Sequence, residues 1–152
     1  MLKTNYGSIV NADQHIICNT VSCNGENHNE TTNHVFTMYP VAYNHYKEAC
    51  NFRSLSDLIG TAQNVKISNR KYISNLFVSL TSKPAHESLN IAMFTKAFRD
   101  VVHFANLNAL SIAVSWKLGD TQMSDELWEK VVDVIENIAN RYSHLQVVIY
   151  KI

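Results

Sequence analysis

The sequence HIICNTVSCNG, at residues 15–25, joins a predicted strand to a predicted loop. Its first part, His15 to Val21, is a short run of apolar and β-branched residues, which is typical of a strand buried inside a sheet. The small and polar residues that follow, Ser22 to Gly25, indicate that the chain then leaves the sheet. Because ligands of helix-covered sheets bind where the strands end, this loop is a candidate site.

The next elements are marked by changes in the spacing of apolar residues. Residues 29–50 have a helical tendency that Pro40 interrupts. Since proline starts a helix well but cannot continue one, two helices are predicted to meet there. Two strands, 62–67 and 71–80, are separated by the turn-forming residues 68–70, which predicts a hairpin.

The second half of the chain is predicted to alternate helices with strands. Lys83-Pro84 should end the hairpin and open a long helix. The buried stripe of that helix contains Leu89, Ala92, Met93, Ala97, Val101 and Phe104. A strand over 109–114 follows, then a helix capped by Ser124 and a last strand over 145–150.

This order of elements predicts one α/β domain over residues 1–152, in which helices cover both faces of a central mixed sheet. A chain of 152 residues suffices for one compact domain and is too short for two. The ligand loops are expected where the strands end, at 22–33, 79–86 and 115–124.

Composition excludes several classes of function. The chain balances 13 basic with 13 acidic side chains. Without a basic run to neutralise phosphates, nucleic acid is not expected as the main ligand, and a membrane surface is disfavoured for the same reason. The sequence has neither a GxxxxGK[ST] phosphate loop nor paired cysteine or histidine spacing, so no cofactor and no metal are predicted. Three cysteines without a signal-peptide pattern favour a reducing cytoplasm.

Three short motifs occur in a fixed order along the chain. They are Gly7-Ser8-Ile9, the segment 19–25 with sequence NTVSCNG, and the segment 83–89 with sequence KPAHESL. They resemble the Gly-Asp-Ile/Leu, Asn-Ala-Val-Asn-Cys-x-Gly and Lys-Pro-x-Tyr-Glu-x-Leu motifs of the macro domain family. The nearest branch is the one that contains the terminal ADP-ribose protein glycohydrolase. The resemblance covers nearly the whole chain and implies a three-layer α/β/α macro-like fold.

The resemblance also implies a cleft for ADP-ribose, or for a nucleotide derived from it, at the carboxyl ends of the strands. Ser8 falls on the family's adenine-contacting acid, and Ile9, the next residue of that motif, is also a predicted ligand-binding residue. The remaining ligand-binding positions lie in the loops that would hold the diphosphate and the distal ribose, and they are Ser22, Asn24, Gly25, Asn27, His28, Ser79, Trp116, Lys117 and Gly119. Glu26 and Glu30 depart from the glycine-rich family loop and bring negative charge toward the diphosphate, which Lys117 would partly offset.

Two residues are candidates for catalysis by the same resemblance. Asp120 falls on the aspartate of the hydrolase branch, whereas the position of the branch's lysine falls on Ser79 or an apolar neighbour. Lys83 is close in sequence and is the candidate replacement. A catalytic base or amine must lie within hydrogen-bond reach of its target, which sequence alone does not establish.

Three functions remain open at this point. The first is binding of ADP-ribose, or of an ADP-ribosylated protein, with weak ADP-ribosyl hydrolase activity. The second is a non-catalytic sponge for an unusual ADP-ribose-derived signalling nucleotide, which the altered loops favour. The third is a degenerate scaffold for protein interaction. Frequent Asn, Ile, Lys and Tyr residues are typical of an AT-rich genome and hint at a viral source.

Overall fold

Six strands form one mixed sheet in the computed structural model of the protein, which describes residues 2–152. The strands, in chain order, are β1 (Lys3–Tyr6), β2 (Ile16–Ser22), β3 (Ala62–Ser68), β4 (Lys71–Ser79), β5 (Ile112–Ser115) and β6 (Val147–Lys151). Their order across the sheet is β1-β6-β5-β2-β4-β3. Every neighbouring pair is parallel except β3 and β4. Five strands therefore end at the same edge.

Helices cover both faces of this sheet, as predicted. They are α1 (Glu30–Met38), α2 (Pro40–Phe52), α3 (Leu55–Leu58), α4 (Ala85–Ser88), α5 (Ile91–Asn108) and α6 (Asp125–Ala139), with 3-10 helices at Ile9–Asn11 and Trp116–Gly119. Successive residues of a strand face opposite sides, and Ile16 and Ile17 accordingly belong to two different cores. Ile16 packs in the core that α5 and α6 supply, and Ile17 in the core that α1 and α2 supply.

The hairpin and the helix junction agree with their predictions. β3 and β4 pair antiparallel around residues 69–70. Helix α1 ends at Met38, and Pro40 is the first residue of α2. Ser124 caps α6, because its side chain accepts a hydrogen bond from the backbone N–H of Leu127.

Two helix boundaries and one buried position differ from the prediction. The long helix does not open at Pro84: residues 85–88 form the separate turn α4, and Asn90 caps α5 by accepting the N–H of Met93. Ala92, expected on the buried stripe, is exposed because the stripe is centred on Phe94 and Phe98. Ala109 is not in a strand, since it ends α5 with a left-handed φ of 53°.

Candidate functional site

Two cavities at the carboxyl edge of the sheet are lined by residues that the sequence predicted for the site. The larger, here called the main cavity, has a volume of about 210 Å³. Its walls come from the turn after β1, the start of α1 and the turn after β5. Four of the residues that the sequence predicted for ligand binding line it: Ser8, Ile9, Trp116 and Gly119.

The second, here called the small cavity, has a volume of about 30 Å³. Its lining includes five predicted residues: Ser22, Asn27, His28, Ser79 and Lys83. A cavity that holds one water needs about 10–15 Å³, so this space is of the size of a few waters and not of a sugar ring. Nine of the thirteen predicted site residues thus lie at one edge of the sheet, divided between two cavities.

A contact between two loops lies next to both cavities. Asn29 Nδ2 donates a hydrogen bond to the carbonyl oxygen of Leu118 at 3.0 Å. Gly119 approaches α1 so closely that a Cβ on it would stand 2.6 Å from the Cβ of Thr31. Thr31 and Gly119 line the main cavity, and Asn29 lines the small one. The ligand loops at 22–33 and 115–124, which were expected to lie on either side of a diphosphate, therefore touch each other.

The polar groups of Ser22 are hydrogen-bonded to other residues of the protein, most of them in its own loop. Its hydroxyl lies 2.7 Å from Asn24 Oδ1 and also contacts the carbonyl oxygen of Glu26. Its backbone N–H donates to Asn27 Oδ1 at 2.9 Å, and its carbonyl accepts from the hydroxyl of Tyr46 at 2.7 Å. A serine hydroxyl has a single proton, so Ser22 has no second donor for a ligand in this arrangement.

The other predicted residues of this loop are also held from within. Asn24 is exposed and accepts the N–H of Glu26 at 3.1 Å. Gly25 has a left-handed φ of 85°, and its carbonyl accepts from Lys47 Nζ at 3.2 Å. His28 is exposed at the rim of the small cavity. Neither Asn24 nor Gly25 lines a cavity, and their contact with a ligand stays a prediction.

Trp116 stands between the main cavity and two ammonium groups. Lys117 Nζ lies 4.6 Å and Lys151 Nζ 4.4 Å from the centre of a Trp116 ring, which are cation–π distances. Lys117 is buried and forms an ion pair with Asp125 at 2.8 Å. The ammonium group expected to face a diphosphate is therefore engaged elsewhere, and Lys117 does not line the main cavity.

Asp120 is held by His86 and Gln122. One carboxylate oxygen accepts the backbone N–H of His86 at 2.8 Å and lies 2.7 Å from His86 Nδ1, and the other accepts the N–H of Gln122 at 3.0 Å. Burial alone would raise the pKa of Asp120, but these hydrogen bonds and the nearby imidazole outweigh it and hold the pKa below its usual value. Lys83 is exposed, and neither Asp120 nor His86 lines the two cavities.

Some residues that shape this edge were not predicted from the sequence. Asn29 caps α1, and an Asn directly before Glu30 and a helical pattern is the usual signal for such a cap. Thr31, Ser115 and Tyr150 line the main cavity without any comparable local signal. Tyr150 reaches the site only because β6 lies between β1 and β5 in the sheet.

Metal-binding clusters and membrane-spanning helices are both absent from residues 2–152. No group of three or more His, Cys, Asp or Glu side chains within residues 2–152 is placed to hold a metal ion. No helix in that part of the chain is both long enough and apolar enough to cross a bilayer.

Comparison with known proteins identifies the fold. The macrodomain of Mycobacterium tuberculosis DarG superposes with a TM-score of 0.80 at 21% identity, over 100% of this chain and 98% of that one. The macrodomain of Thermus aquaticus DarG gives 0.80 at 19% identity, over 100% and 99%. Thermosipho africanus DarTG, solved in complex with ADP-ribose, gives 0.74 at 14% identity, over 99% of this chain and 42% of that one.

The chain therefore has the macrodomain fold along its whole length. No protein-family model and no curated protein sequence matches it. The resemblance first seen in three short motifs is thus confirmed at the level of structure.

Proposed function

We propose that this protein binds ADP-ribose or an ADP-ribose-derived nucleotide, with the adenine end in the main cavity. The observation that carries the proposal is the main cavity itself, about 210 Å³ in volume at the carboxyl edge of the sheet. The cavity is lined by Ser8, which the motif resemblance assigns to adenine, and by its neighbour Ile9. A protein of the same fold has been solved in complex with ADP-ribose, which supports this ligand class.

The chemistry of the cavity suits a purine. Trp116 offers an aromatic face, and Ile9 is an apolar wall. Ser8 Oγ accepts a long hydrogen bond, 3.4 Å, from the N–H of Val10, which leaves its own proton free to donate to a ring nitrogen. A mostly apolar slot with a few placed polar groups is the usual form of a small-molecule site.

Calorimetric titration with ADP-ribose tests this proposal. Thr121 is exposed and lines the main cavity, so Thr121→Trp should fill the cavity from its rim and weaken ADP-ribose binding by about tenfold or more. Gln122→Trp makes the same change at the next residue, which is exposed and lies outside the cavity lining, and should bind like the unaltered protein. Equal binding by the two variants would place the ligand elsewhere, and no binding by the unaltered protein would reject the proposal.

A non-catalytic role is the second part of the proposal, and the surroundings of Asp120 favour it. Both carboxylate oxygens of Asp120 already accept hydrogen bonds from protein groups, and the candidate partner Lys83 is exposed. The test is release of free ADP-ribose from an O-linked ADP-ribosyl substrate, compared between the unaltered protein and Asp120→Ala. We expect both to be equally inert, and release that depends on Asp120 would restore the hydrolase hypothesis.

The partner is then a free nucleotide or an ADP-ribosyl group on another protein. Cys18, Cys23 and Cys50 are all free thiols, which supports a reducing compartment as the place of action. Competition between ADP-ribose and an ADP-ribosylated protein for the chain distinguishes the two partners. A protein partner that binds equally well without its ADP-ribosyl group would instead support the scaffold hypothesis.

A further inference from the structure

We infer that the site recognises the adenosine end of its ligand alone, so that its ligands are adenine nucleotides that lack a distal ribose, of the size of AMP. This inference rests on the proposed function, because it assigns the adenine end to the main cavity. It goes beyond that function by stating which part of ADP-ribose contributes to binding and which part does not.

The two cavities differ in volume in the way this inference requires. The main cavity, at about 210 Å³, is seven times the small cavity, at about 30 Å³. The small cavity is the place where Ser22, predicted at the ribose-contacting position, and Ser79, at the position of the branch's lysine, both lie. Ser79 is buried and donates its hydroxyl proton to the carbonyl oxygen of Thr81 at 2.7 Å, as Ser22 donates within its own loop. The end of the cleft that would receive a distal ribose is therefore narrow, and neither Ser22 nor Ser79 has a free hydroxyl proton to offer it.

The position expected for a diphosphate is closed by the contact between the loops. The Asn29 side chain donates to the Leu118 carbonyl, and its oxygen accepts the N–H groups of Thr31 and Thr32 at 2.9 and 3.2 Å. The N–H groups of Thr31 and Thr32 at the start of α1, which would otherwise attract an anion, are therefore already satisfied. A bridging diphosphate would have to break these bonds, and the binding energy would be reduced by that opening.

The charged side chains that line the main cavity also give no support to the binding of a diphosphate. Its lining contains one carboxylate, from Glu30, and one imidazole, from His34, with no lysine or arginine among the described residues that form it. The buried ammonium of Lys117 is paired with Asp125. The lining therefore supplies no lysine or arginine to a second phosphate, so a diphosphate gains no ion pair here over a single phosphate.

Calorimetric titration of the unaltered protein with AMP and with ADP-ribose tests the inference. We expect AMP to bind at least as tightly as ADP-ribose, because the diphosphate bridge and the distal ribose gain no contacts. Tighter binding of ADP-ribose than of AMP would overturn the inference and leave the proposed function standing. If neither ligand binds, the proposed function fails and the inference fails with it, so the two failures are distinguishable.

A pair of variants tests the role of the loop contact. In Asn29→Ser the hydroxyl still caps α1 but has no amide to reach Leu118, so the ratio of the ADP-ribose Kd to the AMP Kd should fall by about threefold to tenfold. Asn33→Ser is the control, because Asn33 is exposed on the same helix and its side chain donates to the carbonyl oxygen of Asn27 and not to Leu118. If the Kd ratio of Asn29→Ser equals those of Asn33→Ser and the unaltered protein, the contact between the loops does not weaken ADP-ribose binding. That result would contradict the inference.

Discussion

His86 and Asp120 are joined twice, because the same Asp120 carboxylate oxygen accepts the backbone N–H of His86 at 2.8 Å and lies 2.7 Å from its ring Nδ1. His86 belongs to α4, which follows β4, whereas Asp120 belongs to the loop at 115–124, which follows β5. Asp120 therefore ties α4 to the loop at 115–124. The aspartate that the family resemblance assigns to catalysis has a structural partner in this chain.

Replacing this carboxylate should destabilise the fold. At pH 7, Asp120→Ala is expected to lower the free energy of unfolding by about 1–3 kcal/mol, since it leaves the His86 and Gln122 N–H groups without their acceptor. The folded-state pKa of Asp120 lies below its unfolded value. Its contribution is therefore present above the unfolded pKa, and it is lost as the pH falls below about 4 through the folded pKa.

Urea unfolding at several pH values between 3 and 7 measures this effect. Asp133→Ala is the matched control, because Asp133 is exposed on α6 and should change stability by less than about 0.5 kcal/mol. A difference between Asp120→Ala and the unaltered protein that widens on acidification would contradict the assigned role.

Gly119 is required where the two ligand loops touch. Gly119→Ala puts a Cβ at 2.6 Å from the Cβ of Thr31, on a residue whose φ is +80°. Gly25→Ala imposes a similar backbone strain, at φ +85°, but its Cβ meets only the flexible end of Lys47 at 3.2 Å and Cys50 Cβ at 3.7 Å. We expect Gly119→Ala to cost about 1–3 kcal/mol more than Gly25→Ala in urea unfolding, since only the first adds severe overpacking to strain. Equal costs would mean that the loops separate easily.

The part of the fold that was predicted from the sequence is the part with local signals. Pro40 marks a helix junction, and residues 68–70 mark a hairpin, whatever the rest of the chain does. Strand β1 has no such signal, because its four residues are all exposed and it exists only through pairing with β6, where Lys3 lies opposite Val148. The residues of an edge strand do not by themselves determine its register against a strand at the far end of the chain.

The site was predicted in outline and missed in detail for a related reason. Motif resemblance located Ser22 and Lys117 near the ligand loops but did not show that each is bound to a protein group. The partner of Lys117 is Asp125, which the sequence indicated only as a helix-start acid. The contact of Asn29 with Leu118 joins residues 89 positions apart. Such pairings depend on the strand order and cannot be derived from local pattern.

Tyr46 connects the first ligand loop to the core beneath it. Its ring stacks between Phe36 and Phe77, and its hydroxyl donates to Ser22 O at 2.7 Å while accepting from Asn27 Nδ2 at 3.0 Å. Burial raises the pKa of Tyr46, so the hydroxyl stays protonated and remains a donor at neutral pH. Tyr46→Phe leaves two buried polar groups without their partner and should cost about 1–3 kcal/mol.

Tyr43→Phe is the control for this variant. Tyr43 lies one helical turn away on α2 and is 42% exposed, against 0% for Tyr46, so its hydroxyl is free to contact water. The change should alter the free energy of unfolding by less than about 0.5 kcal/mol. Similar losses in the two variants, measured by urea unfolding at pH 7, would show that the Tyr46 hydroxyl adds no stability.

His15 makes the stability of the sheet depend on pH at its amino edge. Its ring Nδ1 accepts the backbone N–H of Ser111 at 3.0 Å, and its backbone N–H donates to Ser111 Oγ at 3.2 Å. These two hydrogen bonds link the start of β2 to the start of β5. An accepting Nδ1 carries no proton, so this arrangement requires the neutral ring. Burial, with the positive charges of Arg70 and Lys71, lowers the pKa of His15 below its ordinary value of about 6.5.

Protonation of His15 therefore favours the unfolded chain. A histidine whose folded-state pKa is depressed stabilises the fold above its unfolded pKa, and that stability is lost as the pH falls from about 7 toward 5. His15→Gln removes this titration, so its free energy of unfolding should fall less steeply over the same range than that of the unaltered protein. His144→Gln, at an exposed histidine near the same edge, should keep the full slope. Parallel slopes for His15→Gln and the unaltered protein would show that the His15–Ser111 pair does not titrate with folding.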